Sequence, residues 1–219
     1  MKVCYRFIKR SSDILFSSIG LVGTLPLWII AMIGIEISDA GPVFYMADRV
    51  GKDNRRFKML KFRTMRQDVP NESVFRGEES RIFPFGKVLR DLKIDEIPQL
   101  VNILIGDMSI VGPRPAAESQ LEVTRGGKYA AVSKTAAGLT GPSALYDYLY
   151  GDKIEDNDDY IRLVLPTRLG LDLVYMEKMS IGFDAKMILW TVIAIVYALA
   201  HKTPDWMLKQ LVEWVHEET

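Results

Sequence analysis

Cysteine and histidine are almost absent from this chain of 219 residues. It contains one cysteine, Cys4, and two histidines, both near the C-terminus. One cysteine cannot build a disulfide framework, and so few thiols and imidazoles argue against a zinc site of the Cys/His type. The composition therefore fits a protein of a reducing compartment.

An excess of charge of either sign is also missing. The chain has 28 basic and 28 acidic residues, so its net charge is zero and composition gives no electrostatic reason to expect nucleic acid as a partner. The length suits one hydrophobic core, since single cores commonly serve ~100 to 200 residues. Local clusters of residues must therefore indicate the function.

The N-terminal region contains a long stretch without charge, from Ile14 to Ile35. Its length is close to the ~20 residues that a membrane-spanning helix needs. Basic residues flank it on both sides, and the positive-inside rule places both flanks in the cytoplasm. Pro26 lies near the middle and should bend the helix, because proline removes a backbone donor and clashes with the preceding turn. We therefore predict a re-entrant helix-break-helix over residues 1–40.

Two other interpretations of this stretch were weighed. A straight single-pass anchor stays open, because spanning helices tolerate proline. A secretory signal peptide is disfavoured, because the apolar stretch is too long and no A-x-A-like cleavage site follows it. If the helix is broken, the backbone groups freed near Pro26 need partners, and the hydroxyl groups available are those of Ser17, Ser18 and Thr24.

The C-terminal region, residues 186–219, is predicted to form interfacial helices. The apolar run Met187–Ala200 is short for a span and is predicted not to cross a membrane. A second helix is expected to begin at Asp205, with Trp206 and Trp214 at the lipid headgroup level. The alternative is an ordinary amphipathic helix that closes the core. Its apolar residues recur at helical spacing: Met207, Leu208, Leu211, Val212 and Val215.

The middle of the chain, residues 41–185, is predicted to form a small globular core on the cytoplasmic side, where the basic flanks of the apolar stretch place it. The fold class is therefore mostly α with a minor β element, combining the re-entrant helix, the interfacial helices and this core. The acidic run Asp152–Asp159 lacks the glycine and terminal glutamate of a calcium loop and is interpreted as a solvated loop. Short strands are expected at Val43–Tyr45 and Phe57–Phe62, and helices at Ile97–Ile105 and Asp159–Lys178.

Two adjacent acidic residues, Asp95 and Glu96, begin a predicted helix whose first turn tolerates Pro98 and which Gly106 can end. A helix start lowers carboxylate pKa values and attracts phosphate. Neighbouring side chains on a helix point in different directions, so the two carboxylates are expected to have separate roles. The plain alternative is that they simply cap the helix.

Basic residues recur around this acidic pair. A lysine offers phosphate a point charge, and an arginine offers a planar fork. Pro113 and Pro115 should hold Arg114 on a stiff loop. Taken singly, each cation could equally form a surface salt bridge or face anionic lipid. The set consists of Lys58, Lys61, Arg63, Arg90 and Arg114.

Several motifs in order along nearly the whole chain resemble the monotopic phosphoglycosyl transferases, the bacterial sugar transferase family, in its small catalytic-core form. They are KRSSDILFSS, the proline-broken helix, DAGPVFYMADRVG, FKMLKFRTM, FGKVLRDLKIDEIPQLVNILIGDMSIVGPRP, GLTG and LDLVYMEKMSIGFDAKMILWTV. The chain departs from the family pattern at Leu25, before the proline, at Pro142-Ser-Ala-Leu-Tyr after GLTG, and at Lys93-Ile94. The second departure bears on donor recognition.

The resemblance implies a two-step, ping-pong reaction that requires Mg²⁺. Asp95 would attack the sugar-bearing phosphorus of a UDP-sugar and expel UMP, and polyprenyl phosphate would then take the phospho-sugar from Asp95. Asp95 and Glu96 would contact the metal. The resemblance further implies that Lys61, Arg90 and Arg114 bind phosphate, with Asp184 as a weaker substrate-binding candidate.

The resemblance also implies a bacterial cytoplasmic membrane protein whose core faces the cytoplasm and contacts membrane lipid. It implies no nucleic acid partner and leaves a homodimer open. Two rival functions stay open: a membrane-attached, metal-dependent diphosphate hydrolase, which needs no covalent intermediate, and a non-enzymatic lipid-binding scaffold.

Overall fold

The computed structural model describes residues 3–66, 81–154 and 156–217. Residues 1, 2, 218 and 219, which end two of the predicted regions, and Glu155 of the acidic run lie outside the described residues. The helices are α1 Val3–Gly23, α2 Leu25–Ser38, α3 Pro84–Asp91, α4 Gln99–Ile105, α5 Leu121–Arg125, α6 Pro142–Leu149, α7 Asn157–Asp159, α8 Leu165–Lys178, α9 Ile181–Leu199 and α10 Asp205–Glu217. The strands are β1 Phe44–Val50, β2 Arg56–Phe62, β3 Met108–Val111 and β4 Ala137–Thr140.

The strands form two small sheets among the helices, which confirms a mostly α fold with a minor β element. β1 and β2 are an antiparallel hairpin that pairs Phe44 with Phe62. Of the strand predicted at Val43–Tyr45, Phe44 and Tyr45 begin the longer β1 and Val43 precedes it, and the strand predicted at Phe57–Phe62 is one residue short. β3 and β4 form a parallel pair that the sequence did not predict.

The long N-terminal helix is broken at Thr24, and α1 and α2 meet at a bend of 58°. Pro26 is in the first turn of α2, where its missing N–H is tolerated. The Thr24 hydroxyl donates to the Gly20 carbonyl at 2.6 Å, and the Trp28 indole N–H donates to that hydroxyl at 3.3 Å. Of the hydroxyl groups predicted to serve the break, that of Thr24 lies at it, but the Gly20 carbonyl already accepts from the Thr24 N–H at 2.9 Å, so this hydroxyl does not pair with a backbone group freed by Pro26. Ser17 and Ser18 donate to the Ile14 carbonyl, one to two turns away.

Polar side chains tie the first half of α1 to the core. The Asp13 carboxylate accepts from the Ser109 hydroxyl at 2.8 Å and from the Ile110 N–H at 2.9 Å. The Arg10 guanidinium donates to the carbonyls of Ile103 and Leu104, at the end of α4, at 2.6 and 2.8 Å. α1 is therefore held in one position relative to β3 and α4.

The second half of α2 returns to the same core. Ala31 and Ile35 are fully buried in a cluster with Phe62, Phe83 and Leu89. At Gly34 a Cβ atom would lie 2.2 Å from the ring of Phe85, so α2 approaches α3 closely. Both ends of the bent pair thus pack on one globular body.

Exposed apolar side chains are concentrated on α1, α2 and α9. Within the described ranges, α9 is long and apolar enough to cross a membrane, as are α1 and α2 if the bent pair counts as one span. α9 has 19 residues because it begins at Ile181, whereas the apolar run in the sequence begins at Met187. The most exposed apolar side chains on these helices are Phe7, Ile19, Val22, Ile30, Ile37, Leu189 and Leu199.

The C-terminal helices close the main hydrophobic core. α10 begins at Asp205 as predicted and buries Met207, Leu211 and Trp214 against α6 and α8. Trp214 is therefore not at a headgroup level: it is 7% exposed and its ring stacks on Trp190 at 5.4 Å. Its position follows from helical spacing, because it shares a face with Met207 and Leu211. Trp206 remains half-exposed.

The helix predicted at Asp159–Lys178 is present but contains a π turn. α7 leads into a π-helical turn at Tyr160–Val164 and then into α8, whose first turn contains Pro166. The wider π turn accommodates Pro166, because proline has no N–H to donate to the regular hydrogen bonds of an α-helix.

Candidate active site

A cavity of about 1170 Å³ lies between the β1–β2 hairpin, α3, α6 and α9. Its lining includes the acidic pair and the VGPRP loop. Among the residues that the structure describes, eleven basic side chains and five acidic ones line it, so that part of the lining is positive although the net charge of the chain is zero. The basic residues are Arg49, Lys61, Arg63, Arg66, Arg81, Lys87, Arg90, Lys93, Arg114, Lys153 and Arg168, and the acidic ones are Asp91, Asp95, Glu96, Asp147 and Asp152.

Asp95 lies in a 3₁₀ turn, Ile94–Glu96, that precedes α4. It does not cap that helix: the N-cap position is Pro98, and no side chain caps α4. The Asp95 side chain is 6% exposed, and its Oδ2 lies 3.9 Å from Nζ of Lys61. Its Oδ1 is buried without a hydrogen-bond partner among the described residues. A buried carboxylate oxygen without a partner is costly to stability, which is typical of an atom kept for chemistry.

Glu96 is bound differently from Asp95. Its Oε1 accepts from the Lys61 ammonium at 2.8 Å. The helix-cap interpretation is therefore wrong for both residues, and the expectation of separate roles agrees with their separate contacts.

The two carboxylates also titrate in opposite directions. Burial raises the pKa of Asp95 above its usual value, although Lys61 opposes the shift. Burial acts on Glu96 too, but Lys61, Lys93 and Arg114 together lower its pKa to about 2. The expectation that a helix start lowers both pKa values is thus wrong for Asp95, because loss of hydration dominates there.

Arg114 is held by carboxylates that the sequence reading did not identify. Its guanidinium lies 3.1 Å from Oδ2 of Asp147, which raises the pKa of Arg114. Its backbone N–H donates to Asp172 at 3.1 Å, and its carbonyl accepts from Arg125 at 3.1 Å. Asp147 in turn accepts from the Tyr160 hydroxyl at 2.9 Å. Side chains as well as the two flanking prolines therefore fix this arginine.

Lys61 and Arg90, the other predicted phosphate ligands, reach the cavity from opposite sides. Lys61 is on β2, and Arg90 is in the last turn of α3, where its Nε donates to the Thr64 hydroxyl at 2.9 Å. No salt bridge joins Arg90 to a carboxylate among the described residues. The structure thus brings Lys61, Arg90, Arg114 and the acidic pair into one cavity.

Asp184 is not brought to this cavity. Its carboxylate pairs with the Lys9 ammonium at 2.8 Å and accepts from the hydroxyls of Tyr5 and Tyr175, both at 2.9 Å. These contacts join α1, α8 and α9 in the described structure. Lys58 also lies elsewhere, in a surface pair with Asp48.

Three further lining residues escaped the sequence reading. Lys93 adopts a left-handed conformation with φ of 56°, and its ammonium lies 3.5 Å from Asp152 and over the ring of Tyr148. Asp152 belongs to the acidic run that the sequence predicts to be a solvated loop. Arg168 is 7% exposed, and its Nε has no partner among the described residues. Of these three residues, only Lys93 could have been suspected from the sequence, because it departs from the family pattern next to the acidic pair.

A divalent metal fits part of this site. Asp95 Oδ1 is an oxygen without a partner among the described residues, and Glu96 is adjacent to it in the chain. No group of three or more potential ligand residues occurs in the parts of the chain that the structure describes. Mg²⁺ is commonly held by one or two carboxylates together with substrate phosphates. The residues therefore suit a metal that arrives with a phosphorylated substrate.

A family model described as bacterial sugar transferase matches residues 4–198. The chain belongs to this family. Membership makes it an enzyme of the phosphoglycosyl transferase type and rules out a purely structural lipid-binding role.

Named relatives of the chain include an exopolysaccharide production protein and two sugar-phosphate transferases. It is 35% identical over 206 residues to the exopolysaccharide production protein ExoY of Rhizobium meliloti, covering 85% of this chain and 84% of the relative. It is 32% identical over 188 residues to a UDP-glucose:undecaprenyl-phosphate glucose-1-phosphate transferase of Caulobacter vibrioides, covering 84% and 68%. It is 42% identical over 113 residues to an N-acetylgalactosaminephosphotransferase of Aeromonas hydrophila that acts on undecaprenyl phosphate, covering 51% and 27%.

Proposed function

We propose that this enzyme transfers a phospho-sugar from a UDP-sugar to polyprenyl phosphate in two steps and so initiates lipid-linked glycan assembly. The observation that carries the proposal is the Asp95 carboxylate, which is buried, has an oxygen without a partner among the described residues, and lies in a cavity lined mainly by cations. Relatives that act on UDP-glucose and undecaprenyl phosphate agree with it.

In the first step an Asp95 oxygen forms a bond to the sugar-bearing phosphorus, and the bond from that phosphorus to the UMP oxygen breaks. UMP leaves with the bonding electron pair. In the second step a phosphate oxygen of the polyprenyl phosphate attacks the same phosphorus, and the Asp95 carboxylate is released. Two anionic substrates of different solubility then never need to meet each other in the site.

Lys61, Arg90 and Arg114 are placed to neutralise the phosphates during both steps. Lys61 contacts Glu96 at 2.8 Å and lies near Asp95, so it can order the acidic pair and still face the cavity. The Arg114 guanidinium is held by Asp147, so its position needs to change little when a phosphate binds. Asp95 and Glu96 would hold Mg²⁺, which would supply further neutralisation of charge on the diphosphate.

The covalent intermediate separates this reaction from hydrolysis. The enzyme would be incubated with each member of a UDP-sugar panel in the absence of lipid, and UMP release and the mass of the Asp95 peptide would be measured. A burst of UMP equal to the enzyme, with a phospho-sugar on Asp95, is expected for the cognate donor. Continuous release of UMP with no adduct would favour a hydrolase. The same panel identifies the sugar.

We also propose that α1 and α2 dip into one leaflet of the bacterial cytoplasmic membrane, with the core in the cytoplasm. Both ends of the bent pair pack on one core, and the apolar side chains between them are uncovered. α9 lies between α8 and α10, which pack on each other, so its two ends also belong to one side. This arrangement favours α9 along the membrane surface rather than across it.

The topology can be tested with cysteine labelling, because Cys4 is exposed and is the chain's one cysteine. Intact spheroplasts expressing the unaltered chain, or the chain with Cys4→Ser and Glu217→Cys, would be treated with a membrane-impermeant maleimide. We expect neither cysteine to react until the cells are lysed. Labelling of either position in intact cells would contradict the proposal, and labelling of one alone would indicate a crossing helix.

A further inference from the structure

The active-site cavity has an apolar wall as well as a charged one. Four residues of α9 line it, at the spacing of one helix stripe: Ile188, Thr191, Val192 and Ile195. Val192 is 54% exposed, and Ile188 is 37% exposed. Ile97, which follows the 3₁₀ turn, and Leu100 of α4 belong to the same lining, so the apolar surface adjoins the acidic pair.

The orientation of this wall is fixed by the rest of α9. Met187, Trp190 and Ala194 are buried in the main core on another side of the helix. The Thr191 hydroxyl lies 2.6 Å from the Thr140 hydroxyl at the end of β4. The stripe therefore faces the cavity because the opposite side of the helix is packed.

The stripe is also continuous with uncovered apolar surface. Val196 and Leu199 follow it along α9 and are 57% and 59% exposed. An apolar path thus leads from the outside of the protein to a cavity lined by cations. This combination suits an amphiphile with an anionic head and an unbroken hydrocarbon tail.

We infer that the stripe formed by Ile188, Val192 and Ile195 receives the first isoprene units of the polyprenyl phosphate acceptor. The inference rests on the proposed function. A UDP-sugar carries a charged diphosphate and two sugars, and it has no hydrocarbon chain that would bury such a stripe. The lipid phosphate would then reach Asp95 while its chain runs outward along α9 towards the membrane.

The two half-reactions allow a direct test. In a ping-pong reaction kcat/KM for the donor reports on the first step, and kcat/KM for the acceptor reports on the second. Val192→Ser would be compared with Leu189→Ser, since Leu189 is 59% exposed on the same helix but does not line the cavity. Both would be assayed in mixed micelles with the acceptor at fixed mole fractions.

Val192→Ser is expected to lower kcat/KM for the acceptor by about tenfold while leaving that for the donor unchanged, because polar substitution removes apolar contact with the lipid chain. Leu189→Ser should change neither. The unchanged donor value also shows that Val192→Ser folds. Equal losses in the two variants would overturn the inference and make the exposed face a membrane contact only. A loss confined to the donor would overturn it as well and assign the wall to the nucleotide.

Failure of the proposed function would look different. The unaltered enzyme would then give no polyprenyl-linked phospho-sugar from any UDP-sugar. If the unaltered enzyme makes that product and Val192→Ser matches it in both kinetic constants, the reaction stands and the lipid path along α9 is wrong.

Discussion

Asp95 and Glu96 are neighbours in the chain, yet their environments prepare them for different tasks. Asp95 is nearly out of contact with water and keeps one oxygen unbonded among the described residues, whereas Glu96 is paired with Lys61. A raised pKa for one and a lowered pKa for the other is a common way to divide roles between two carboxylates. The nucleophile in this scheme must be ionised, so the pKa of Asp95 should be visible in the kinetics.

The pH dependence of the first half-reaction is therefore predicted to follow Asp95. Because burial raises its pKa and the ionised form attacks, kcat/KM for the donor should fall as pH decreases through a value above that of an ordinary aspartate. Lys61→Met removes the charge that opposes the shift, so the acid limb should move to higher pH. A pH–rate profile of both forms measures this. An acid limb at the same pH in both would contradict the assignment.

Replacing the nucleophile is predicted to separate activity from stability. Asp95→Asn should abolish transfer and leave the unfolding temperature unchanged or raised. A carboxylate whose pKa is raised by folding destabilises the folded state above the unfolded pKa, and that cost disappears with the charge. Lys61 would still pair with Glu96. Thermal unfolding in detergent and a transfer assay suffice, with the exposed Asp205→Asn as control. Retained transfer would exclude Asp95 as the nucleophile.

Asp147 is predicted to act through Arg114. Asp147→Asn leaves the guanidinium without its carboxylate, so the free energy of unfolding should fall by about 1 to 3 kcal/mol. The first half-reaction should also slow. A double-mutant cycle with Arg114→Gln distinguishes coupling from general damage, because residues in contact are non-additive. Additive losses in kcat/KM for the donor would show that Asp147 acts independently of Arg114.

At the scale of elements, the contact between α2 and α3 depends on one glycine. Gly34→Ala would bring a methyl group to 2.2 Å from the Phe85 ring, so the ring must move and stability should fall by about 1 to 3 kcal/mol. Phe85→Leu in the same chain should restore part of the loss. Gly23→Ala is the matched control, since nothing lies within 4 Å of its Cβ position. Equal unfolding temperatures for the two alanine variants would contradict this packing.

The elements that the sequence predicted well have strong local signals. α10 has helical periodicity and an aspartate at its start, and the break at Thr24 lies just before Pro26, which fits the first turn of a new helix. β3 and β4 are four residues each and owe their pairing to partners distant in the chain, so periodicity could not reveal them. α9 begins earlier than the apolar run because Ser180 caps it by accepting from the Phe183 N–H at 3.1 Å.

The same contrast applies to the site. Asp95, Lys61, Arg90 and Arg114 carry motif signals and meet in one cavity. Asp147 follows the GLTG motif and Asp172 lies within the motif that begins at Leu171, but the contact of both with Arg114 is recognisable only once the fold brings them together. The raised pKa of Asp95 also could not be read from the sequence, because it depends on burial rather than on chain position.

At the scale of the whole molecule, the charge is balanced overall but uneven in space. Of the described residues, eleven basic and five acidic side chains line the cavity, although the net charge of the chain is zero. The cavity should therefore attract a dianionic donor by a field that salt weakens. kcat/KM for the UDP-sugar is predicted to fall steadily as sodium chloride is added. A value independent of salt would indicate that the local excess of cations does not aid encounter.

The contacts that hold α1 have a consequence for how the protein is made. Asp13 is held by Ser109, and Lys9 by Asp184, which is 175 positions later in the chain. This helix leaves the ribosome before its partners on β3 and α9, which are synthesised much later. It can reach its final seat only when most of the chain has been translated, so the order of synthesis and the order of assembly are reversed for this segment.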